Sequence, residues 1–377
     1  MSSFLPPGLF RLAYEVDAYV GAAARTVRRR LGLGRPLRIL PYRGYGTAEA
    51  ALVKARVLED NRVPPPRAKR SLLGSAFASY KRFATVEMPH VPLRAHWDGH
   101  TYEGRTDEEG FVDLWVTPPP GAQPGWHEVH LELLDEVPGP PATATARVLL
   151  VGDTAEYGII SDLDDTVIVT NVANLFKRAW ALFLSEASPR VPFEGVSAFY
   201  SALRDGSTDG ARNPIFYVSS SPWNLYEHLE HFLEVHHIPF GPILLRDWGL
   251  TRTGFAPGGG HGHKLDKIRE VLEGIPELKF LLIGDSGQHD PEHYTTIAAE
   301  HPGRILAIYI RDVTASPRRE AELRELAARA SDSGTELVLV HDTVTAARHA
   351  ARHHFIRWPE LHEVRHQRRE DMGSAEN

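Results

Sequence analysis

The sequence predicts a two-part chain: an all-β sandwich followed by an α/β domain built on a doubly wound parallel sheet, with one helix ahead of both. Three observations predict it. From Tyr157 onward, short apolar runs at 158–161, 215–219, 243–246, 280–284, 305–310 and 336–340 alternate with helical patterns at 223–236, 264–273, 317–330 and 342–355. Fully apolar strands separated by helices are the mark of a parallel sheet covered on both faces. Residues 37–150 instead show short in/out alternation split by turn residues, as an antiparallel sandwich would. Before them, Leu9, Leu12, Ala13, Val16, Val20, Ala23 and Val27 recur at helical spacing.

Taken in order, residues 1–36 read as an amphipathic helix. Its far end carries Arg25, Arg28, Arg29 and Arg30, which suit either a helix C-terminus or an anionic membrane surface. Residues 37–152 read as an immunoglobulin-like sandwich. Leu93–Trp97, Val112–Val116 and His127–Leu133 alternate, Ala144–Val151 forms a last strand, and Asp98-Gly99 and Glu109-Gly110 mark turns. Residues 61–82, with Pro64-Pro65-Pro66, read as an exposed insertion. Residues 153–358 form the α/β domain. The remainder, 359–377, reads as a polar tail, disordered from Arg365 onward.

Composition narrows the function. The 377 residues are 42% hydrophobic and 24% charged, ordinary for a globular chain. With no cysteine, disulfides, thiolate nucleophiles and Cys-ligated metals are excluded. No apolar run approaches the ~20 residues of a membrane span. No secretory leader is visible, so a cytoplasmic location is expected, with peripheral membrane contact left open. The net charge of −7 hides an asymmetry: residues 1–70 hold 14 Lys and Arg against 5 Asp and Glu. A basic segment on an acidic body suits an anionic partner, or a solvated face packed on that body. It lacks interleaved aromatics for stacking, so nucleic acid is not expected.

Four polar clusters follow strand ends. Gly158-Ile159-Ile160-Ser161-Asp162-Leu163-Asp164-Asp165-Thr166 runs a buried strand into three carboxylates. Side chains alternate there, so Asp162 and Asp164 can face one side, and such crowding is costly unless a cation sits between them. Mg²⁺ is the natural candidate. Next come Tyr217-Val218-Ser219-Ser220-Ser221-Pro222-Trp223, then Gly258-Gly259-Gly260-His261-Gly262-His263-Lys264, and last Gly284-Asp285-Ser286-Gly287-Gln288-His289-Asp290. Each has a plainer reading as helix cap, surface lysine or turn. All four at successive strand ends are better explained as one site.

Asp-x-Asp-x-Thr, strand-end Ser, Lys and Gly-Asp-x-x-x-x-Asp, in that order, resemble the haloacid-dehalogenase superfamily of phosphotransferases. The fuller strings resemble the actin-patch-associated phosphatidate phosphatases and their bacterial relatives, a lipin-related family. Gly44-Tyr45-Gly46-Thr47, Thr106–Phe111 and Gly125-Trp126-His127 are similar to that family's upstream module. The resemblance implies a Mg²⁺-dependent phosphatase that removes phosphate from phosphatidate. It implies Asp162 as nucleophile, Asp164 as acid/base, and Ser219 and Lys264 as holders of the phosphoryl group. It places the metal on Asp162, the backbone of Asp164, and Asp285, with Asp290 as a further ligand or as the orienter of Lys264. Gln288 departs from the family's frequent acidic residue and is given no role. The stretch Leu175–Leu184, with its aromatics and Lys177-Arg178, reads as a cap over the site, and Arg246 and Trp248 as headgroup contacts. A soluble phosphomonoester as substrate remains open, as does a binding protein in which the sandwich is the functional module.

Overall fold

A computed structural model describes residues 36–59, 88–134, 142–163, 166–167, 193–246, 250–251, 254–255, 262–313 and 316–375. The expected N-terminal helix, the 61–82 insertion, Leu175–Leu184, Asp164 and Trp248 lie outside them. The chain divides into two units: Met1–Leu150 with Arg246–Gly260, and Val151–Leu245 with His261–Asn377.

The first unit is all β. Its strands are β1 (Leu37–Tyr42), β2 (Gly44–Gly46), β3 (Ala51–Glu59), β4 (Pro92–Trp97), β5 (His100–Arg105), β6 (Phe111–Val116), β7 (Gly125–Leu133) and β8 (Thr143–Leu150). They join in one eight-stranded sheet, in the order β1-β3-β2-β8-β7-β4-β5, with β6 on β3. The expected sandwich implies two separately bonded sheets; here β2 links the halves, antiparallel to β3 and parallel to β8. Leu93, Ala95 and Trp97 of β4 still share one core with Val53 and Val57 of β3 and Val112 of β6. Strands so far apart in the order meet only because the sheet folds over its apolar face. The β4–β5 hairpin turns at Asp98 and Gly99, with φ of 43° and 82°, the positive pair that a tight two-residue hairpin requires. Residues 250–251 and 254–255 pair as the small hairpin β12–β13.

The second unit holds a six-stranded sheet of β9 (Gly158–Asp162), β10 (Ile215–Pro222), β11 (Ile243–Arg246), β14 (Phe280–Asp285), β15 (Ile305–Arg311) and β16 (Glu336–Val340). Its order is β11-β10-β9-β14-β15-β16, and the pairs from β10 through β16 are parallel. Every residue of β9 and β14 is buried, as expected of central strands in a covered parallel sheet. The helices are α1 (Val196–Asp205), α2 (Tyr226–Val235), α3 (His263–Gly274), α4 (Asp290–Glu300), α5 (Pro317–Asp332), α6 (Thr343–Arg352) and α7 (Trp358–Ala375). Strand order runs outward in opposite senses from the β9/β14 pair. Such a reversal opens a crevice at the strands' carboxyl ends.

The tail reading is corrected by α7, which runs to Ala375. Its Leu361 and Val364 are 2% and 0% exposed. Helix α1 begins after a left-handed Gly195 that supplies no side-chain cap, so its first N–H groups need partners from elsewhere. Asp371 of α7 accepts the Gly195 N–H at 2.8 Å and Gln367 accepts that of Ala198 at 2.6 Å. Truncation after Arg357 therefore loses two buried aliphatic side chains, ~1.5–3 kcal/mol each, and two hydrogen bonds, ~1 kcal/mol each. We expect a urea midpoint well below that of the full chain; equal midpoints would contradict this packing.

Candidate active site

Asp162 closes β9 and Asp285 closes β14, neighbouring parallel strands in which Ile283 pairs with Ser161. The shared register puts both carboxylates at the same carboxyl edge, where the strand order reverses. Lys264 enters from the first turn of α3 and Asp290 from the start of α4. Lys264 Nζ lies 2.7 Å from Asp162 Oδ1 and 2.5 Å from Asp290 Oδ1. All four side chains are buried, the three aspartates at 0% exposure and Lys264 at 5%. One oxygen from each of Asp162, Asp285 and Asp290 lies within 4.8 Å of the others.

The electrostatics follow from the count. Burial by itself would push Lys264 down, but the adjacent Asp162 and Asp290 outweigh it and hold the ammonium well above the ordinary lysine range. Among the described residues, one ammonium faces three buried carboxylates, a crowding of like charge that a cation relieves. The remaining donors are hard oxygens, the set that suits Mg²⁺. The residues therefore fit a divalent cation, to which Asp162, Asp285 and Asp290 can each offer an oxygen.

Asp290 also bonds to both Lys264 and the Asp285 backbone. Its Oδ1 is on Lys264, and its Oδ2 accepts the Asp285 N–H at 3.3 Å. Asp285 Oδ1 accepts the N–H groups of Gly287 and Gln288 at 2.6 and 3.0 Å, which fixes the β14–α4 loop and leaves position 288 contributing its backbone. Ser219, fully buried on β10, follows Val218, the register partner of Asp162. Its Oγ accepts the Ser221 N–H at 3.0 Å. Thr166 is buried just beyond the β9 turn, where the Val167 N–H donates to Leu163 O at 3.2 Å.

The structure brings Asp162, Lys264, Asp285 and Asp290 into direct contact or close approach, with Ser219 on the adjoining strand. It adds residues that the motifs do not show. Arg319 of α5 donates to the carbonyls of Ser286 and Gln288, both at 3.0 Å, and pairs with Glu292, so it clamps the Asp285–Asp290 loop from outside. Tyr294 donates to Ile283 O at 3.0 Å; burial and then the nearby aspartates push its phenol far up, so it stays a neutral donor. Arg311, at the end of β15 opposite Asp285 in register, lies 3.4 Å over the Phe193 ring, and burial lowers it to about 10. Local sequence offers no signal for Arg319, which sits in a charge-rich helix like any solvated arginine.

Comparison with known proteins matches the segment that holds these residues. The family described as "Phosphatidate phosphatase APP1, catalytic domain" matches residues 157–312, the span that carries Asp162, Asp164, Ser219, Lys264, Asp285 and Asp290. Residues 157–312 are similar to this family. Phosphatidate phosphatase APP1 of Saccharomyces cerevisiae is 35% identical over 241 residues, which cover 61% of this chain and 39% of that protein. An uncharacterised protein of Schizosaccharomyces pombe is 31% identical over 163 residues, covering 43% of this chain and 26% of that one. The chain thus spans well under half the length of the curated relatives it matches. A carbohydrate acetylesterase from Xanthomonas citri covers 82% of this chain and 72% of its own at 12% identity, but its TM-score of 0.33 carries no argument. Among the described residues, no helix is long and apolar enough to cross a membrane.

Proposed function

We propose that this chain is a Mg²⁺-dependent phosphatase that converts phosphatidate to diacylglycerol through an aspartyl-phosphate on Asp162. The observation that carries it is the buried Asp162–Lys264–Asp290 contact beside Asp285 at the β9/β14 crevice. The phosphatidate assignment draws on the matched family and on the yeast relative's name. On this reading the second unit is a doubly wound domain of the haloacid-dehalogenase type, the first is an upstream sandwich module, and the protein touches membranes peripherally to reach its substrate.

A carboxylate attacks an anionic phosphoryl group only if its own charge is retained and the group's charge is offset. Lys264, 2.7 Å from Asp162, sets a positive charge beside the nucleophile and shares in offsetting the charge of the phosphoryl group. A bound Mg²⁺, held by Asp162, Asp285 and the backbone of Asp164, would supply the remaining charge stabilisation. Ser219 Oγ, fixed by Ser221 N–H, can direct its O–H at a phosphoryl oxygen. Asp162 then displaces the diacylglycerol alkoxide, which takes its proton from Asp164. Asp164, now a base, takes a proton from the water that releases phosphate. Asp290 and Arg319 are positioning residues: one aims Lys264, the other holds the loop that carries Asp285. Preorganised charge of this kind supplies most of the rate in phosphoryl transfer.

Gly284 shows how tight the support is. A methyl there would lie 2.6 Å from Asp290 Oδ2 and 2.8 Å from the Tyr294 ring. We expect Gly284→Ala to displace Asp290 and lower kcat by about 10²-fold, the cost of an ångström-scale misplacement, with the circular dichroism spectrum unchanged. Wild-type kcat in that variant would contradict the role given to Asp290.

The substrate is tested by initial rates of phosphate release on phosphatidate vesicles beside soluble sugar phosphates and nucleotides. Preference for the vesicles is expected. Faster release from a soluble ester would replace the lipid assignment and keep the chemistry. Vesicle binding without any phosphate release would make the first unit the functional module.

A further inference from the structure

At the opposite edge of the second unit's sheet lies another cluster that the phosphatase reading does not use. Glu336 opens β16. His349 is in the last turn of α6, and His353 follows one turn later. Their rings stack with centroids 4.1 Å apart at 21°, so both face the same side. Glu336 Oε2 lies 3.2 Å from His349 Nε2 and 3.8 Å from His353 Nε2. One ligand atom from each of the three lies within 4.8 Å of the others.

These spacings match a coordination shell. Tetrahedral zinc with bonds of ~2.0–2.1 Å places adjacent ligand atoms roughly 3.3–3.4 Å apart. The two measured distances bracket that value, and His353, 48% exposed, can shift by a few tenths of an ångström. The surroundings fit as well. Tyr309 Oη lies 2.9 Å from His349 Nδ1. An imidazole that binds metal through Nε2 carries its proton on Nδ1, and the Tyr309 oxygen is placed to accept it; without metal, Nε2 lies at hydrogen-bond distance from Glu336. Glu336 is 57% exposed, so a cation can enter and water can complete the shell. Two imidazoles and one carboxylate favour a first-row transition cation over Mg²⁺.

We propose that Glu336, His349 and His353 form a second metal site, taking one Zn²⁺-class cation with water in the open position. Strands β9, β14, β15 and β16 run parallel, so the amino end of β16 lies at the far edge from Asp162 and Asp285. A five-residue strand alone separates the edges by ~16 Å. The bound cation therefore takes no part in phosphoryl transfer. It ties the start of β16 to the end of α6 and acts as a staple.

The test uses the full chain, stripped with chelator, in excess Mg²⁺ to fill the oxygen site, and titrated with Zn²⁺ by calorimetry. One Zn²⁺ per chain is expected, with a raised thermal midpoint. His353→Ala and Glu336→Gln, both at exposed positions, should each weaken binding tenfold or more and abolish the thermal shift. Co²⁺ should give the intense visible bands of a low-coordinate nitrogen–oxygen site, and these should be lost in His353→Ala. No Zn²⁺ uptake by the wild type, or equal affinity in both variants, overturns the proposal. Phosphate release does not enter the readout, so the test stands apart from the proposed reaction.

Discussion

Asp162→Asn should abolish turnover while leaving the fold intact. The amide keeps the shape of the side chain at the end of β9 but cannot attack phosphorus as an anion. Loss of at least ~10⁴-fold in kcat is expected, the scale seen when a nucleophile is removed from a working constellation. Stability should not explain the loss. The substitution removes one negative charge from a buried group of three carboxylates served by one lysine, which relieves repulsion rather than adding to it. An unfolding midpoint at or above that of the wild type is the expected companion result. In the wild type, acid quench during turnover followed by peptide mass analysis should find one phosphoryl group on the fragment containing Asp162. A fully active Asp162→Asn variant would sink the mechanism.

Lys264→Met should be damaging in both ways. Methionine keeps much of the stem's volume but removes the ammonium that lies 2.7 Å from Asp162 and 2.5 Å from Asp290. Three buried carboxylates would remain without it, and breaking a buried charge pair from one side costs about 3–5 kcal/mol. Denaturant unfolding in chelator should show that loss, and added Mg²⁺ should restore part of it, because a cation bound only by the folded state stabilises it. Turnover should stay down by at least ~10²-fold with Mg²⁺ present, since a preorganised charge on the phosphoryl group has gone. If the variant unfolds like the wild type in chelator, Lys264 is not the counter-charge described here.

The parts of this molecule that can be read from sequence are those whose signal is local. Ile159-Ile160 and Leu281-Leu282-Ile283 read as buried strands because a covered parallel sheet needs apolar residues on both faces, and they are β9 and β14. Asp162, Ser219, Lys264 and Asp285 stood out because polar groups at successive strand ends are costly without a shared purpose. What escaped depends on partners distant in sequence. Helix α7 is charge-rich and buries little beyond Leu361 and Val364; its Gln367 and Asp371 matter only because α1 begins with an uncapped glycine. Arg319 reads as a solvated helix residue until its two carbonyl partners are seen. The choice between ligand and orienter for Asp290 was open in the motif, and the Lys264 contact favours the orienter. In the first unit the alternation of β4 and β7 was visible, but not the parallel β2–β8 pairing that joins eight strands into one sheet.

The central claim is tested most directly by the initial rate of inorganic phosphate release from mixed phosphatidate vesicles, measured with Mg²⁺ and again after chelation. The account predicts release by the wild type with Mg²⁺, loss of that release on chelation, recovery on re-addition, and none from Asp162→Asn under any of these conditions. Release that continues undiminished in chelator, or a folded wild-type chain that releases no phosphate with Mg²⁺ present, would contradict it.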